Sequence, residues 1–138
     1  ELRSEEMEVI NLRIQKKYKE IEEKEVRFEE YLLEDAEYAI VAFGSAARIA
    51  KKSIEIARSQ GIKVGLLRPI TLWPFPTKEV QKLAGKVKGI LSLEINAGQM
   101  VEDIRLAVEG KVPVQHFGRL GGIIPDPDEV VDAIKRLF

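Results

Sequence analysis

Side chains able to do chemistry gather at four turns marked by glycine or proline: Gly44-Ser45, Arg68-Pro69, Asn96-Ala97-Gly98-Gln99 and Gly118-Arg119-Leu120-Gly121-Gly122. A serine after a glycine at the mouth of a helix can hold a phosphate through unpaired backbone N–H groups. Around Ser45, however, there is neither G-x-G-x-x-G nor the lysine of a P-loop, and no G-x-S-x-G frames it as a nucleophile. The expectation is a glycine turn with Ser45 as the helix N-cap. Asn96 can cap a helix running from Gln99, or point across the rim to a partner backbone; capping is the default. In the fourth turn, Gly121 and Gly122 permit positive φ and close backbone approach beside Arg119. Ile123 and Ile124 follow, an apolar tip that a solvated loop has little use for, and Pro125 and Pro127 stiffen the exit.

Other chemistries are excluded by residue type. The chain has no cysteine, which removes disulfides, thiolate nucleophiles and cysteine-ligated iron–sulfur clusters. Its one histidine, His116, sits on an apolar strand, where a structural role is expected, since a general base needs an orienting partner. No H-E-x-x-H or comparable zinc cluster exists. No catalytic residue and no metal ligand are therefore assigned.

The stretch "LLRPITLWPFP", residues 66–76, is unusual in another way. Pro69 pushes Arg68 into an extended conformation, and Pro74 and Pro76 do the same around Phe75. Trp73 and Phe75 are large, rigid and costly to leave wet. Aromatics and arginine on a preorganised surface are what the centres of interfaces favour. The stretch reads as a stiff docking edge; the alternative is that Trp73 folds back onto its own helix layer.

The elements that position these turns follow from pattern. Residues 1–25 are rich in Glu, Lys and Arg, with Met7, Ile10, Ile14, Tyr18 and Ile21 at helical spacing. They predict an amphipathic helix, either packed on its own domain or connecting to a preceding domain or neighbouring subunit. Residues 26–138 then alternate. Strands are expected at Val26–Leu32, Ala36–Phe43, Ile62–Arg68, Val87–Ile95 and Val112–Phe117. Helices are expected from Ala46 to Gln60 with Gly61 as C-terminal cap, from Thr77 (as cap) to Ala84, and from Gly98 to Glu109. Asp126, Pro127 and Glu129 form a capping box for a last helix that buries Val130, Val131, Ile134 and Leu137. Parallel crossovers then give an α/β fold: a three-layer α/β/α sandwich with a five-stranded, mostly parallel sheet. One antiparallel edge strand and a preceding amphipathic helix complete it.

With 138 residues and 33% charged side chains but a formal net charge of -1, nothing favours nucleic acid or an anionic membrane as partner. Long apolar runs and a signal peptide are absent, so a soluble, cytoplasmic location is expected. Abundant Lys, Glu and Arg without Cys fit a thermophile. Because the first residue is Glu1, a fragment or processed chain is expected.

Four segments in order, "VAFGSAAR", "GIKVGLLRPITLWPFP", "LEINAGQMVEDIR" and "GRLGGIIPDPDEV", carry a resemblance. Together they resemble the C-terminal, transketolase C-terminal-like domain of the alpha subunit of 2-oxoacid:ferredoxin oxidoreductases, the 2-oxoglutarate type above all. The resemblance covers essentially the whole chain, with residues 1–25 similar to the helical linker from a preceding pyrimidine-binding domain. It implies a complex that converts a 2-oxoacid and coenzyme A to acyl-CoA and CO2, with electrons passing to ferredoxin. Thiamine diphosphate, magnesium and iron–sulfur clusters serve that chemistry in the family. The G-D-G and N-N motifs of the diphosphate site are absent here, as are cluster cysteines, so this chain is expected to bind none of these groups and to be non-catalytic by itself.

The implied partners are a beta subunit and further gamma and delta subunits, with a homodimer of this chain also open. The resemblance also implies the strand order 1-3-2-4-5, which places Gly44-Ser45 and Asn96–Gln99 on either side of one crevice. Subunit assembly is the leading reading, with Ser45, Arg68, Trp73, Phe75, Asn96, Gln99, Arg119, Gly121 and Gly122 as interface or crevice residues. An independent nucleotide- or CoA-binding module is the alternative.

Overall fold

The computed structural model describes residues 3–138. In chain order its elements are α1 (Ser4–Lys24), β1 (Phe28–Tyr31), β2 (Tyr38–Ala42), α2 (Gly44–Ser59), β3 (Val64–Pro69), α3 (Thr77–Ala84), β4 (Gly89–Glu94), α4 (Met100–Val108), β5 (Val114–Gly118) and α5 (Pro127–Lys135). The strands form one sheet in the order β1-β3-β2-β4-β5. β1 runs antiparallel to β3, while β3, β2, β4 and β5 are mutually parallel. Fold class and the antiparallel edge are as the sequence predicts, and the strand order is the one the resemblance implies.

The period of two along β2 divides the core. Ile40 and Ala42 face one side, where Leu66 and Leu91 join them beneath Ala50 and Ile54 of α2 and Val130 and Ile134 of α5. Ala39 and Val41 face the other side, with Leu67 and Ile90 beneath Val80 and Leu83 of α3 and Ile104 and Val108 of α4. Helices on both faces explain why β4 reads GILSLE, a run with every residue buried, rather than an alternating pattern.

Helix ends show where local rules hold. Gly61 takes φ +82° just after α2; its N–H donates to Arg58 O and the Ile62 N–H to Ala57 O, a Schellman ending. At α5, Asp128 N–H donates to the Asp126 carboxylate and Asp126 N–H to Glu129, completing the capping box.

Several expectations need correction. Ser45 is not an N-cap: α2 already includes Gly44, the capping position is Phe43, and no side chain caps it. A left-handed Gly44 (φ +56°) turns the chain into the helix one residue early. Thr77 lies inside α3 with Pro76 at the cap position, again without a side-chain cap. β1 is shorter than Val26–Leu32, because Leu32 adopts φ +53° and ends the pairing. The strand predicted at Val87–Ile95 narrows to β4, and the helix from Gly98 begins only at Met100.

Helix α1 forms as predicted, but no residue of it is buried. Met7, Ile10, Ile14 and Tyr18 of its apolar stripe are 36–45% exposed, so that face is largely uncovered. Among the described residues, no helix is long and apolar enough to cross a membrane.

Candidate docking edge and switch-point rim

Because β3, β2, β4 and β5 are parallel, their carboxyl ends and the four marked turns share one rim. Strand order reverses direction between β2 and β4, the position at which open α/β sheets form a crevice. Gly44-Ser45 leaves β2 and Asn96–Gln99 leaves β4, so the two turns border that point. Ser45 is exposed and Gln99 is exposed, while Asn96 is half-buried.

The rim is held by a residue that pattern reading passes over. Glu94, the last residue of β4, is completely buried. Its Oε1 accepts from Met100 N–H (2.8 Å), Gln99 N–H (3.1 Å) and Asn96 Nδ2 (3.2 Å). Its Oε2 accepts from Ser92 Oγ (3.0 Å) and Val101 N–H (3.1 Å). The cap of α4 is therefore Glu94, reaching over the turn, and not Asn96. Asn96 instead accepts the Gly98 N–H through Oδ1 at 2.7 Å, closing the turn on itself. The available sequence signal was an acid ending an otherwise apolar strand just before a glycine-containing turn and a helix.

His116 on β5 lies beside this cluster, its Nε2 3.7 Å from Glu94 Oε2, beyond hydrogen-bond distance. The β4 and β5 exits are in close contact: a Cβ at Gly118 would lie 2.2 Å from Asn96 O. Among the described residues, no group of three or more His, Asp and Glu is arranged to hold a metal ion.

Arg68 and Arg119 are engaged within the chain. Arg68 Nη1 donates to Glu29 Oε2 at 2.9 Å, and Lys51 Nζ holds the other oxygen at 2.5 Å. Those two cations, Lys51 first, keep the Glu29 carboxyl below its ordinary value. Arg119 Nη1 reaches Glu129 Oε1 at 3.2 Å, joining the fourth turn to the capping box of α5. Gly121 (φ +64°) and Gly122 (φ +80°) do adopt the left-handed region, and they present Leu120, Ile123 and Ile124 exposed.

The 66–76 stretch builds a separate surface. Thr71 Oγ1 donates to Pro74 O (2.9 Å) and accepts from Arg27 N–H (3.0 Å). The N–H groups of Ile70 and Thr71 both donate to Arg27 O. This lacing fixes the proline-rich segment against the α1–β1 turn. Phe75 packs inward on the Leu67–Val80 side of the core. Trp73 does not: it is 55% exposed, and its ring meets Tyr18 of α1 edge-on, with centroids 5.5 Å apart. Val26, Phe28, Trp73, Phe75 and Lys78 line an open cleft of about 640 Å³ beside the end of α1.

The family described as pyruvate:ferredoxin oxidoreductase core domain II matches residues 36–130. The chain belongs to this family. Core domain II thus spans β2 to the start of α5, including the rim and the Trp73 edge. Ketoisovalerate oxidoreductase subunit VorB of Methanothermobacter thermautotrophicus is 46% identical over 132 residues, covering 96% of this chain and 37% of its own length. The 2-oxoglutarate synthase subunit KorA of Methanothermobacter marburgensis is 30% identical over 104 residues, covering 75% of this chain and 28% of its own. Among solved structures, 2-oxoglutarate:ferredoxin oxidoreductase from Magnetococcus marinus, with 2-oxoglutarate, coenzyme A and succinyl-CoA bound, shares the fold. Its TM-score is 0.83 at 22% identity, over 99% of this chain and 24% of that one. This core domain II chain accordingly spans little more than a third of the length of the VorB relative.

Proposed function

We propose that the chain is an assembly domain within a subunit of a thiamine diphosphate-dependent 2-oxoacid:ferredoxin oxidoreductase. The complete enzyme would join a 2-oxoacid and coenzyme A into acyl-CoA and CO2 and pass electrons to ferredoxin. The rest of the subunit and the other subunits would carry the thiamine diphosphate, magnesium and clusters, in a cytoplasmic complex. The residues here do not fit those groups. There is no cysteine to ligate a cluster, and the one buried carboxylate at the rim already accepts from five donors.

The observation that carries the reading is the exposed Trp73, held on a segment that hydrogen bonds make rigid. An aromatic left half in water on a preorganised edge is suited to the centre of an interface, where little ordering cost remains on binding. Residues 1–25 would serve as a helical linker and residues 26–138 as the domain, with the uncovered stripe of α1 continuing the same contact. Among 2-oxoacids, identity to the ketoisovalerate subunit exceeds that to the 2-oxoglutarate synthase subunit. A branched-chain 2-oxoacid is accordingly favoured over the 2-oxoglutarate type that the motifs suggest.

The test compares Trp73→Ala in two settings. In the whole enzyme the substitution should weaken subunit association, read by analytical ultracentrifugation across a dilution series. In the chain alone it should barely move the melting temperature. A large fall in melting temperature with intact association would assign Trp73 to the domain's own stability and overturn the proposal.

A further inference from the structure

A full carboxylate, Glu94, is buried at the carboxyl end of β4. Helix N-termini beside a switch point are where doubly wound proteins offer backbone N–H groups to the phosphates of ligands. α4 has such an N-terminus, and its first N–H groups converge on the two oxygens of Glu94. We infer that Glu94 is a built-in anion: it occupies the place a ligand phosphate would take, sets the Asn96–Gln99 turn, and closes this part of the crevice to nucleotide and coenzyme phosphates.

Three observations support the inference. The N–H groups of Gln99, Met100 and Val101 are all engaged by the carboxylate, so a second anion would find no free donor among them and would meet a like charge. Ser92 and Asn96 supply two further donors from the strand and the turn, a complete shell of the kind a bound anion receives. The surroundings also leave little space: His116 lies 3.6 Å from where a Cβ at Gly98 would sit, and Gly118 abuts Asn96 O. Glu94 acts as a positioning residue, fixing Asn96 and Gln99 through the turn that its carboxylate anchors. The rim is thereby shaped before any partner arrives, independently of what that partner is.

Removing the carboxylate while leaving the amides should expose an anion site. Glu94→Ala is expected to lower the melting temperature of the chain by several degrees. Formate or acetate, compared with chloride at equal ionic strength, should restore part of the loss and leave the wild type unmoved. Glu94→Gln, which fills the space without charge, should not be rescued. In the wild type, inorganic phosphate should leave the backbone amide resonances of Gln99, Met100 and Val101 in place.

Phosphate-induced shifts at those amides would overturn the inference. So would a Glu94→Ala chain that melts like the wild type, or one whose response to formate is absent or equal to the wild type's. Should Glu94→Ala fail to fold, the wild type decides alone: the phosphate measurement stands, and the three amides must titrate together with the Glu94 carboxyl. Separate titrations would refute the assignment.

Discussion

Glu94 shows how a single charge can be kept inside an apolar sheet. Burial pushes its carboxyl up, but the N–H groups of Met100 and Gln99, with Ser92 and Asn96, more than offset this, so its value is lowered from the ordinary one. A carboxylate with a lowered value in the folded chain adds stability that is fully present above its unfolded value. That contribution is lost as pH falls through the folded value. At neutral pH, Glu94→Gln should therefore cost about 2–4 kcal/mol, since one side-chain NH2 would oppose a backbone donor. The wild type's lead in melting temperature should shrink on acidification below the usual carboxylate range. Besides the donors, the titratable group facing Glu94 is His116 at 3.7 Å. Thermal melts of both chains across pH check the sign; a constant lead into acid would assign the effect to shape alone. Gly118 belongs to the same scale. A methyl there would meet the backbone oxygen of Asn96, not a flexible side-chain end, so Gly118→Ala should destabilise by about 1–3 kcal/mol in urea unfolding.

Among the elements, α1 differs from the rest. Helices α2 to α5 each bury an apolar face against the sheet, whereas α1 has no buried residue and sets Tyr18 edge-on to Trp73. A helix without a covered face gains little beyond its own propensity, since tertiary packing supplies most of the stability of helices in proteins. Its amides in the chain alone should exchange with deuterium far faster than those of β2 or β4. In the assembled enzyme, if the stripe is covered as proposed, they should become protected. Hydrogen-exchange mass spectrometry of the two samples reads this directly. Equal, slow exchange in the isolated chain would show that α1 is stable without a partner.

For the whole molecule, two half-cores joined by one sheet give the domain its integrity, and neither involves Trp73. This separation is why folding and assembly should respond differently to the same substitution. Truncating an aromatic at the centre of an interface typically costs about 2 kcal/mol or more in association. Trp73→Ala should accordingly weaken subunit affinity by roughly thirty-fold, at 1.4 kcal/mol per factor of ten. In the chain alone the loss should be about 1 kcal/mol, the sum of the small effect usual at exposed positions and the lost Tyr18 contact.

Local order was legible from residue type alone. The strand at Ala39–Ala42, the glycine at 61 and the Asp126–Glu129 box each rest on neighbours within a few positions, so their geometry follows from the chain itself. Strand order was legible through the resemblance, and the sheet bears it out. The rim was not. Ser45 and Asn96 looked like caps by type, but the cap of α4 is an acid that the turn at Gly98 carries into place, and α2 enters through a left-handed glycine without a side-chain cap. Nor could the sequence choose between a buried and an exposed Trp73, since an indole suits either environment. Tertiary structure decided both. Burial and donor geometry depend on where distant backbone returns, and that is a property of the packed sheet and its turns rather than of residue type.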